Sequence, residues 1–301
     1  MNTVPTKRRQ ATKKTRDAAT YALFTGPAMI LYLAFFVTPL LLSLFYSMQD
    51  WNGISTTFNF VGLKNYIDVL HEEAFLDSLG FTFKYMLANM IIMNAAGLLI
   101  ALALNSNLKL KTALRGAYFL PIVISGVVVG YLWNIIIVRL FPIIGDWTGL
   151  ELFTKNWPSY PNTAFAAIMI ASVWQSFGYY MMIYLTGLQS VPDSLLEAAA
   201  IDGATPLQRF FHITVPIMRP TFTICIFLSM VNALKAFDII YSLTFGGPYG
   251  STTSISLQVF LDAFKRNLLS YASAKAMLFC LIIVIISFTQ VALMKRKEVE
   301  L

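Results

Sequence analysis

Residues 191–219, VPDSLLEAAAIDGATPLQRFFHITVPIMR, carry two sets of helix-start signals with a glycine between them. Ser194 stands three residues before Glu197, the spacing of a capping box, in which each side chain satisfies the other's backbone donor. Gly203 is placed to end the helix that follows, because glycine adopts the left-handed conformation at low cost. The first half of the segment therefore predicts a short helix with a defined start and stop.

The second half of the segment begins another short helix. Thr205 suits the N-cap position, and Pro206 suits the first helical position, where its missing N–H costs nothing. Pro216 is placed to redirect the chain at the end of that helix. Local rules alone thus predict a helix, a turn and a second helix between two apolar stretches of the chain.

Apolar stretches on both sides of this segment are long enough to cross a membrane. A membrane helix needs about 20 mostly apolar residues, and six stretches meet that length: 22–48, 81–105, 113–140, 163–188, 220–245 and 272–294. The first far exceeds the roughly 7–15 apolar residues of a signal peptide. Only 12% of the 301 residues are charged and 57% are hydrophobic, whereas a soluble domain carries about 25% charged residues. The chain is therefore predicted to be an all-α integral membrane protein with six transmembrane helices within residues 21–295.

Positive charge is unevenly distributed between the two sides of these spans. With the N-terminus in the cytoplasm, the cytoplasmic segments hold fourteen Lys and Arg residues and the outside loops hold five, Arg139 among them. Six of the fourteen lie in a basic tail, 1–20, and two lie in a short tail, 296–301. The positive-inside rule then predicts that both termini and the loop 191–219 are cytoplasmic. Because a basic tail before an apolar run more often orients a membrane protein than binds nucleic acid, no nucleic-acid partner is expected.

Residues with catalytic or metal-binding chemistry are few. Cys225 and Cys280 both lie inside apolar stretches and are expected to be small core residues rather than a disulfide or a metal site. His71 and His212 stand too far from other ligand types to indicate a metal centre, and the sequence contains no P-loop. If ATP drives this protein, another chain binds it.

Polar residues inside the fourth and fifth spans indicate a path for a solute. Ser229, Asn232 and Ala236 share one face of a helix at three- and four-residue steps, and Gln175 shares a face with Tyr179. Polar groups are costly in hydrocarbon and usually face a partner or water. Aromatic side chains with a few convergent polar groups are the usual composition of a small-molecule site.

Each of these residues also has a purely structural interpretation. Asn232 is equally suited to hydrogen-bond across helices, and Tyr179 to anchor an interface. Lys235 and Asp238, three residues apart, are placed to neutralise each other. Pro39 and Pro121 are expected to kink the first and third spans.

One motif in the 191–219 segment resembles a known family. Residues 197–204, EAAAIDGA, followed by Phe211, Ile213 and Pro216, resemble the EAA motif of binding-protein-dependent ABC importer permeases. The family's usual leucine before the final proline is Val215 here.

Further similarity extends to about 22–294. Residues 60–66, FVGLKNY, resemble the first outside loop of the sugar-type, maltose-permease-like branch, and residues 271–274, YASA, resemble the start of its last span. Residues 246–248, GGP, with Thr252 following, are similar to the MalF-like member of the usual unlike permease pair rather than the MalG-like one.

The resemblance implies a type I importer permease (MetI-like) fold in a bacterial plasma (inner) membrane. It implies a coupling helix in 191–219 that sits in a cleft of the ATPase subunit, with the motif residues Glu197, Ala198, Ala199, Asp202, Gly203, Ala204 and Pro216. It also implies a mid-membrane substrate path, for which the candidates are Gln175, Gly178, Tyr179, Ser229, Asn232 and Ala236. The implied partners are a second, MalG-like permease, two ABC ATPase subunits, an extracytoplasmic solute-binding protein, a carbohydrate substrate and membrane lipid. No cofactor or metal is expected, and ATP hydrolysis belongs to the partner subunits.

Two other classes of function remain open at the level of sequence. An ion-coupled carrier that works alone needs a carboxylate within the membrane, and Asp238 is the one candidate. A membrane enzyme needs a nucleophile with a base, or a metal cluster, and the sequence offers no convincing set.

Overall fold

The computed structural model describes residues 20–21, 23–106 and 109–295, and Lys295 by its backbone alone. The predicted basic tail 1–20, apart from Thr20, and the predicted tail 296–301 lie outside the described residues. The helices are α1 (Leu23–Ser47), α2 (Lys64–Leu70), α3 (Glu73–Leu104), α4 (Lys111–Phe119), α5 (Gly126–Thr148), α6 (Glu151–Thr154), α7 (Pro161–Gln189), α8 (Asp193–Ile201), α9 (Pro206–Ile217), α10 (Arg219–Leu234), α11 (Asp238–Leu243), α12 (Ile255–Phe264) and α13 (Leu269–Lys295).

Short elements join these helices. The strands β1 (Gln49–Asp50) and β2 (Asn59–Phe60) pair antiparallel, with Gln49 opposite Phe60. Turns of 3₁₀ helix cover Leu120–Val123 and Trp157–Ser159. Helix α2 lies between the apolar stretches 22–48 and 81–105, and α12 lies between the stretches 220–245 and 272–294.

Five helices, α1, α3, α5, α7 and α13, are long and apolar enough to cross a membrane. Over the described residues, α9 and α10 supply a sixth apolar segment if they are counted as one span, although they meet at a bend of 70°. The all-α membrane fold predicted from the apolar stretches is therefore confirmed.

The third span differs from the predicted stretch 113–140. Helix α4 ends at Phe119, before Pro121, and α5 begins only at Gly126 and continues to Thr148. Proline lacks the N–H that a continuing helix needs, and Ile124 is extended, with ψ 135°. The kink expected at Pro121 is therefore a full break, and Arg139, expected in an outside loop, lies within α5.

The fifth predicted span, 220–245, is also interrupted. Helix α10 ends at Leu234 and α11 starts at Asp238, so residues 235–237 leave the helical path. A broken membrane helix needs other partners for its freed backbone groups. Ser254 supplies one of them, because its hydroxyl donates to the Ala236 carbonyl at 2.7 Å.

Helices α3, α7 and α10 pack together at the centre of the bundle. A Cβ on Gly97 of α3 would lie 2.9 Å from the Cβ of Tyr180 on α7, so the glycine permits the close approach of these two helices. Asn94 of α3 donates to Ser229 of α10 at 2.8 Å and accepts from the hydroxyl of Tyr184 at 2.7 Å. Interhelical hydrogen bonds of this kind tie polar side chains together within a membrane bundle.

Three helices contain one wider π turn, and each π turn ends two residues before a proline. The π turns are Leu33–Val37 in α1, Ile136–Leu140 in α5 and Phe210–Thr214 in α9, and the prolines are Pro39, Pro142 and Pro216. A proline ring in an α-helix clashes with the carbonyl four residues earlier, and a π turn, with its five-residue hydrogen bond, relieves that crowding. The irregularity expected at Pro39 thus takes the form of a π turn.

A buried charge cluster joins α12 and α13 to the start of α3. The fully buried Lys275 ammonium lies 2.5 Å from the Asp262 carboxylate and 2.6 Å from that of Glu72. Arg266 contacts Asp262 at 2.8 Å, and the Tyr271 hydroxyl donates to Glu72 at 3.0 Å. Every charge in the cluster therefore has an opposite partner within hydrogen-bonding distance.

Candidate translocation cavity and the α8–α9 hairpin

Helix α8 begins two residues earlier than its capping signal predicted. Asp193 is its first residue, Pro192 is its N-cap with an extended backbone (ψ 126°), and no side chain caps the N-terminus. The capping box between Ser194 and Glu197 was therefore a wrong prediction. Proline already supplies the backbone geometry of a helix start, and the Asp193 carboxylate in the first turn suits the positive end of the helix dipole.

The end of α8 follows its prediction. Gly203 has φ 82°, and its N–H donates to the Ala200 carbonyl at 3.1 Å. The Ala204 N–H donates to the Ala199 carbonyl at 2.9 Å. This pair of bonds is the Schellman motif, in which a left-handed residue closes the helix. The glycine stop is confirmed.

The start of α9 also follows its prediction. The Thr205 N–H donates to the Gln208 side-chain oxygen at 2.8 Å, while the Thr205 hydroxyl accepts from the Gln208 N–H at 3.4 Å. Pro206 occupies the first helical position. The Schellman motif at the end of α8 and the capping box at the start of α9 therefore fix the geometry of the α8–α9 hairpin.

The α8–α9 hairpin exposes apolar side chains beside carboxylates. Ile201 is 87% exposed, Leu207 68% and Phe211 56%. Glu197 and Asp202 are exposed on the same hairpin. Of the other motif residues, Ala198 and Gly203 are exposed, and Ala199, Ala204 and Pro216 are half-buried. Exposed apolar groups rimmed by charge are typical of a surface that another protein covers.

A cavity of about 570 Å³ lies among α3, α7, α10 and α11. It is referred to below as the central cavity. Its polar lining residues are Tyr85, Asn89, Ser172, Gln175, Ser176, Tyr179, Tyr180, Asn232, Lys235 and Asp238. A mixed polar and aromatic lining of this kind is the usual composition of a small-molecule site.

The central cavity lies near the middle of the spans. Gln175 is the middle residue of α7, about 21 Å from either end at 1.5 Å per residue, and Asn89 stands at the middle of α3. The hydrocarbon core of a membrane is about 30 Å thick. A helix that crosses the membrane has its middle residues where an unpartnered polar group is most costly.

Four of the six predicted path residues line the central cavity: Gln175, Tyr179, Asn232 and Ala236. Gly178 and Ser229 are not among its lining residues. A Cβ on Gly178 would lie 1.9 Å from the Tyr118 carbonyl oxygen, so this glycine permits close contact with α4. Ser229 is fully buried and bonded to Asn94.

Hydrogen bonds orient several of the lining side chains. Gln175 donates to the carbonyl of Ile124, at the break before α5, at 2.7 Å. Tyr85 donates to Ser172 at 2.8 Å, and the Asn232 amide lies 3.4 Å from the Tyr180 hydroxyl. The interhelical role considered for Asn232 is therefore present alongside its place in the cavity wall.

The contribution of α3 to this site was not predicted. Tyr85 and Asn89 stand four residues apart in the middle of the second span, and the same rule on intramembrane polar groups would have singled them out. Mutual neutralisation was the structural interpretation considered for Lys235 and Asp238. In the structure no ion pair joins them, because none of their side-chain nitrogen and oxygen atoms approach within the distance of a salt bridge.

Residues able to hold a metal do not converge in the described part of the chain, where no group of three or more His, Cys, Asp or Glu residues occurs. Cys225 is buried as expected. Cys280 is exposed on α13, so it is not the core residue that sequence analysis predicted.

Residues 93–299 match the family described as the binding-protein-dependent transport system inner membrane component. The starch degradation products permease AmyD of Thermoanaerobacterium thermosulfurigenes is 36% identical, over 93% of this chain and 96% of its own. The multiple sugar-binding transport permease MsmF of Streptococcus mutans is also 36% identical, over 90% of this chain and 93% of its own.

Two crystal structures of bacterial alginate ABC transporters share the fold. The first, of an importer of the acidic polysaccharide alginate, has a TM-score of 0.82 and covers 96% of this chain and 99% of its own. The second, in complex with an alginate pentasaccharide-bound periplasmic protein, has a TM-score of 0.81 and covers 93% of this chain and 94% of its own. Both are 20% identical. The matches give no support to an ion-coupled carrier. The family resemblance is confirmed along most of the chain, which belongs to the family of inner membrane components of binding-protein-dependent transport systems.

Proposed function

We propose that this chain is a permease subunit of an ABC importer that carries a sugar or oligosaccharide across a bacterial inner membrane. The observation that carries the proposal is the central cavity, a polar and aromatic space at mid-membrane depth. The names of AmyD and MsmF, which describe carriers of starch products and multiple sugars, support a carbohydrate substrate.

The chemistry of the lining suits a carbohydrate. Tyr85, Tyr179 and Tyr180 offer aromatic faces and hydroxyls, while Asn89 and Gln175 offer amides that both donate and accept. Sugars combine apolar ring faces with hydroxyls that also donate and accept. The residues proposed to contact the solute are those of the predicted path that line the cavity, joined by the α3 residues.

The α8–α9 hairpin is the proposed site of coupling to the ATPases. Its exposed apolar residues fit a cleft on a partner, and the exposed Glu197 carboxylate lies on the same hairpin. Backbone bonds made by Gly203 and Ala204 of the EAA-like motif hold the hairpin in shape. Met218, at the 70° bend, links α9 to α10, which carries Asn232 in the cavity wall. Movement of the hairpin would therefore reach the cavity through one continuous piece of chain.

The proposed partners follow from this arrangement. Two ABC ATPase subunits hydrolyse ATP and engage the hairpin, and a second, MalG-like permease completes the wall of the cavity. An extracytoplasmic binding protein delivers the solute to the outside loops. Both termini are proposed to be cytoplasmic, on the side where ATP is available.

The decisive experiment measures coupling in the assembled transporter. Glu197→Ala is introduced into the complex with its partner subunits in proteoliposomes, and binding-protein-stimulated ATPase activity is measured together with uptake of neutral sugars. We expect stimulation and uptake to fall while assembly is unchanged. Glu151→Ala, in α6 on the opposite side, serves as the control and should behave as the unmodified protein. Normal stimulation in the Glu197 variant would refute the proposed coupling site.

A further inference from the structure

The break at residues 235–237, within the predicted stretch 220–245, brings two charged residues to the central cavity. Lys235 follows the last residue of α10, and Asp238 is the first residue of α11. Both side chains are exposed and both line the cavity. They are the only two lysine, arginine, aspartate or glutamate residues that line it, within the described chain.

Neither charge is satisfied by the protein within the described residues. No hydrogen bond or ion pair involves the side chain of Lys235 or of Asp238, whereas Lys275, at the other charge cluster, has two carboxylate partners. An unpartnered charge at membrane depth is costly unless water or a ligand solvates it. Both charged groups are therefore expected to face water or a ligand inside the central cavity.

Backbone packing, rather than an ion pair, determines where Asp238 lies. A Cβ on Gly126 of α5 would stand 2.8 Å from the Asp238 Cβ and 3.1 Å from one of its carboxylate oxygens. One turn further on, a Cβ on Gly130 would stand 1.8 Å from the Ser242 hydroxyl. Glycines four residues apart let two membrane helices approach closely. Helix α11 is therefore held against α5, with the carboxylate at the cavity wall.

We propose that Lys235 and Asp238 determine the charge class of the transported solute, a proposal that rests on the proposed function. The two separated charges give the central cavity a net charge of zero. A neutral polyhydroxylated solute donates hydroxyl protons to Asp238 and accepts from Lys235, so both charges are satisfied at once. A solute with a net charge is attracted to one of these groups and repelled by the other, and the repulsion is strong in a medium of low dielectric.

The local charge can be measured without knowing the solute. In the complete transporter, with Cys225→Ala and Cys280→Ser in this chain and with cysteine-free partner subunits, Ser176→Cys provides a single reporter thiol in the cavity wall. Its rates of labelling by a cationic trimethylammonium methanethiosulfonate and by an anionic sulfonate methanethiosulfonate are compared. The ratio of cationic to anionic rates should fall about tenfold with Asp238→Asn and rise about tenfold with Lys235→Gln. Asp146→Asn, an exposed carboxylate at the far end of α5, should leave the ratio unchanged.

The charge class itself is tested by protection of the same reporter thiol. Glucose and glucuronate differ only in the oxidation state of one carbon, so they form a matched neutral and anionic pair. Glucose should slow labelling of the reporter and glucuronate should not, whereas glucuronate should protect once Asp238→Asn is present.

Three results would overturn the inference. An unchanged ratio in both charge variants would mean that groups of the second permease already neutralise Lys235 and Asp238. Equal protection by glucose and glucuronate would mean that Lys235 and Asp238 do not select the charge of the solute. Absence of protection by glucose would mean that the cavity does not bind a neutral polyhydroxylated solute. The proposed coupling role is judged separately, by the ATPase response to Glu197→Ala.

Discussion

Gly203 shows how much one residue contributes to the α8–α9 hairpin. Its backbone has φ 82°, and nothing lies within 4 Å of the position where a Cβ would stand. The cost of a side chain there is consequently one of backbone conformation alone, about 1–2 kcal/mol for the left-handed region. Gly149, at the end of α5, has φ 71° and equally open space. The two glycines therefore form a matched pair, one on the hairpin and one far from it.

Gly203→Ala should reduce binding-protein-stimulated ATPase activity and uptake, because the strain loosens the turn that presents α8 to the ATPases. Gly149→Ala carries the same backbone strain and should leave both activities near normal. The measurement is stimulated ATPase activity per assembled complex. Equal losses in the two variants would show that the strain acts through stability rather than through coupling.

Gly178 illustrates the opposite situation at the residue scale, where space rather than conformation is limiting. Gly178→Ala places a Cβ 1.9 Å from the Tyr118 carbonyl oxygen, so α7 and α4 must separate. We expect a loss of about 1–3 kcal/mol, seen as a lower Tm in detergent. Gly116→Ala, with nothing within 4 Å, is the control. An unchanged Tm for Gly178→Ala would contradict the packing described here.

At the scale of elements, hydropathy predicted where apolar chain lies but not where helices break. The stretches 113–140 and 220–245 are apolar on average, and a hydropathy average does not register the breaks after α4 and α10. Pro121 was visible in the sequence, yet a proline either kinks or ends a helix according to its tertiary neighbours. The break at 235–237 has no proline and depends on Ser254, far along the chain, which no local rule can identify.

The charge cluster that ties α12 and α13 to α3 yields a prediction at this scale. Lys275→Met leaves Asp262 and Glu72 facing each other without their buried cation, and breaking such a pair costs about 3–5 kcal/mol. The Tm should fall accordingly in a thermal unfolding assay. Asp262 keeps Arg266 as a partner, so Glu72 is the carboxylate left without a cation, and adding Glu72→Gln should restore part of the loss.

Lys265→Met, in the exposed turn after α12, is the control and should change the Tm little. A loss as large as that of Lys275→Met would show that the region tolerates no lysine substitution, whatever its burial. If the double variant were no more stable than Lys275→Met alone, the unpaired Glu72 carboxylate would not be the source of the loss.

At the scale of the whole molecule, the sequence predicted more of the hairpin than of the cavity. The hairpin is formed by neighbours in the chain, so local rules placed Gly203 and Thr205 correctly and failed only where Pro192 preceded Ser194. The cavity is formed by helices far apart in sequence. Periodicity identified the polar face of α7 and α10, but the contribution of Tyr85 and Asn89 depends on how α3 packs beside them.

Topology provides the prediction that belongs to the whole molecule. The distribution of Lys and Arg predicts that Ser194 faces the cytoplasm and Ser55, after β1, faces outside. With Cys225→Ala and Cys280→Ser as background, a membrane-impermeant maleimide added to intact cells should label Ser55→Cys. Ser194→Cys should be labelled only after the cells are opened. The reverse pattern would invert the proposed orientation.

The π turn in α5 has a consequence for the geometry of the whole helix. A π turn holds one residue more than the α-helical hydrogen-bonding pattern, and each α-helical residue turns the chain by about 100°. The extra residue lies between Gly130 and Gly145, so the side chains after it are rotated about the helix axis relative to those before it. It sets the angle between the face that meets α11 and the face that meets Thr154 of α6. Helix α5 packs against both α11 and α6, so the number of residues between Gly130 and Gly145 fixes how its two contact faces are oriented. Deleting one residue in this stretch would turn one face away from its neighbour even if the other face still packed.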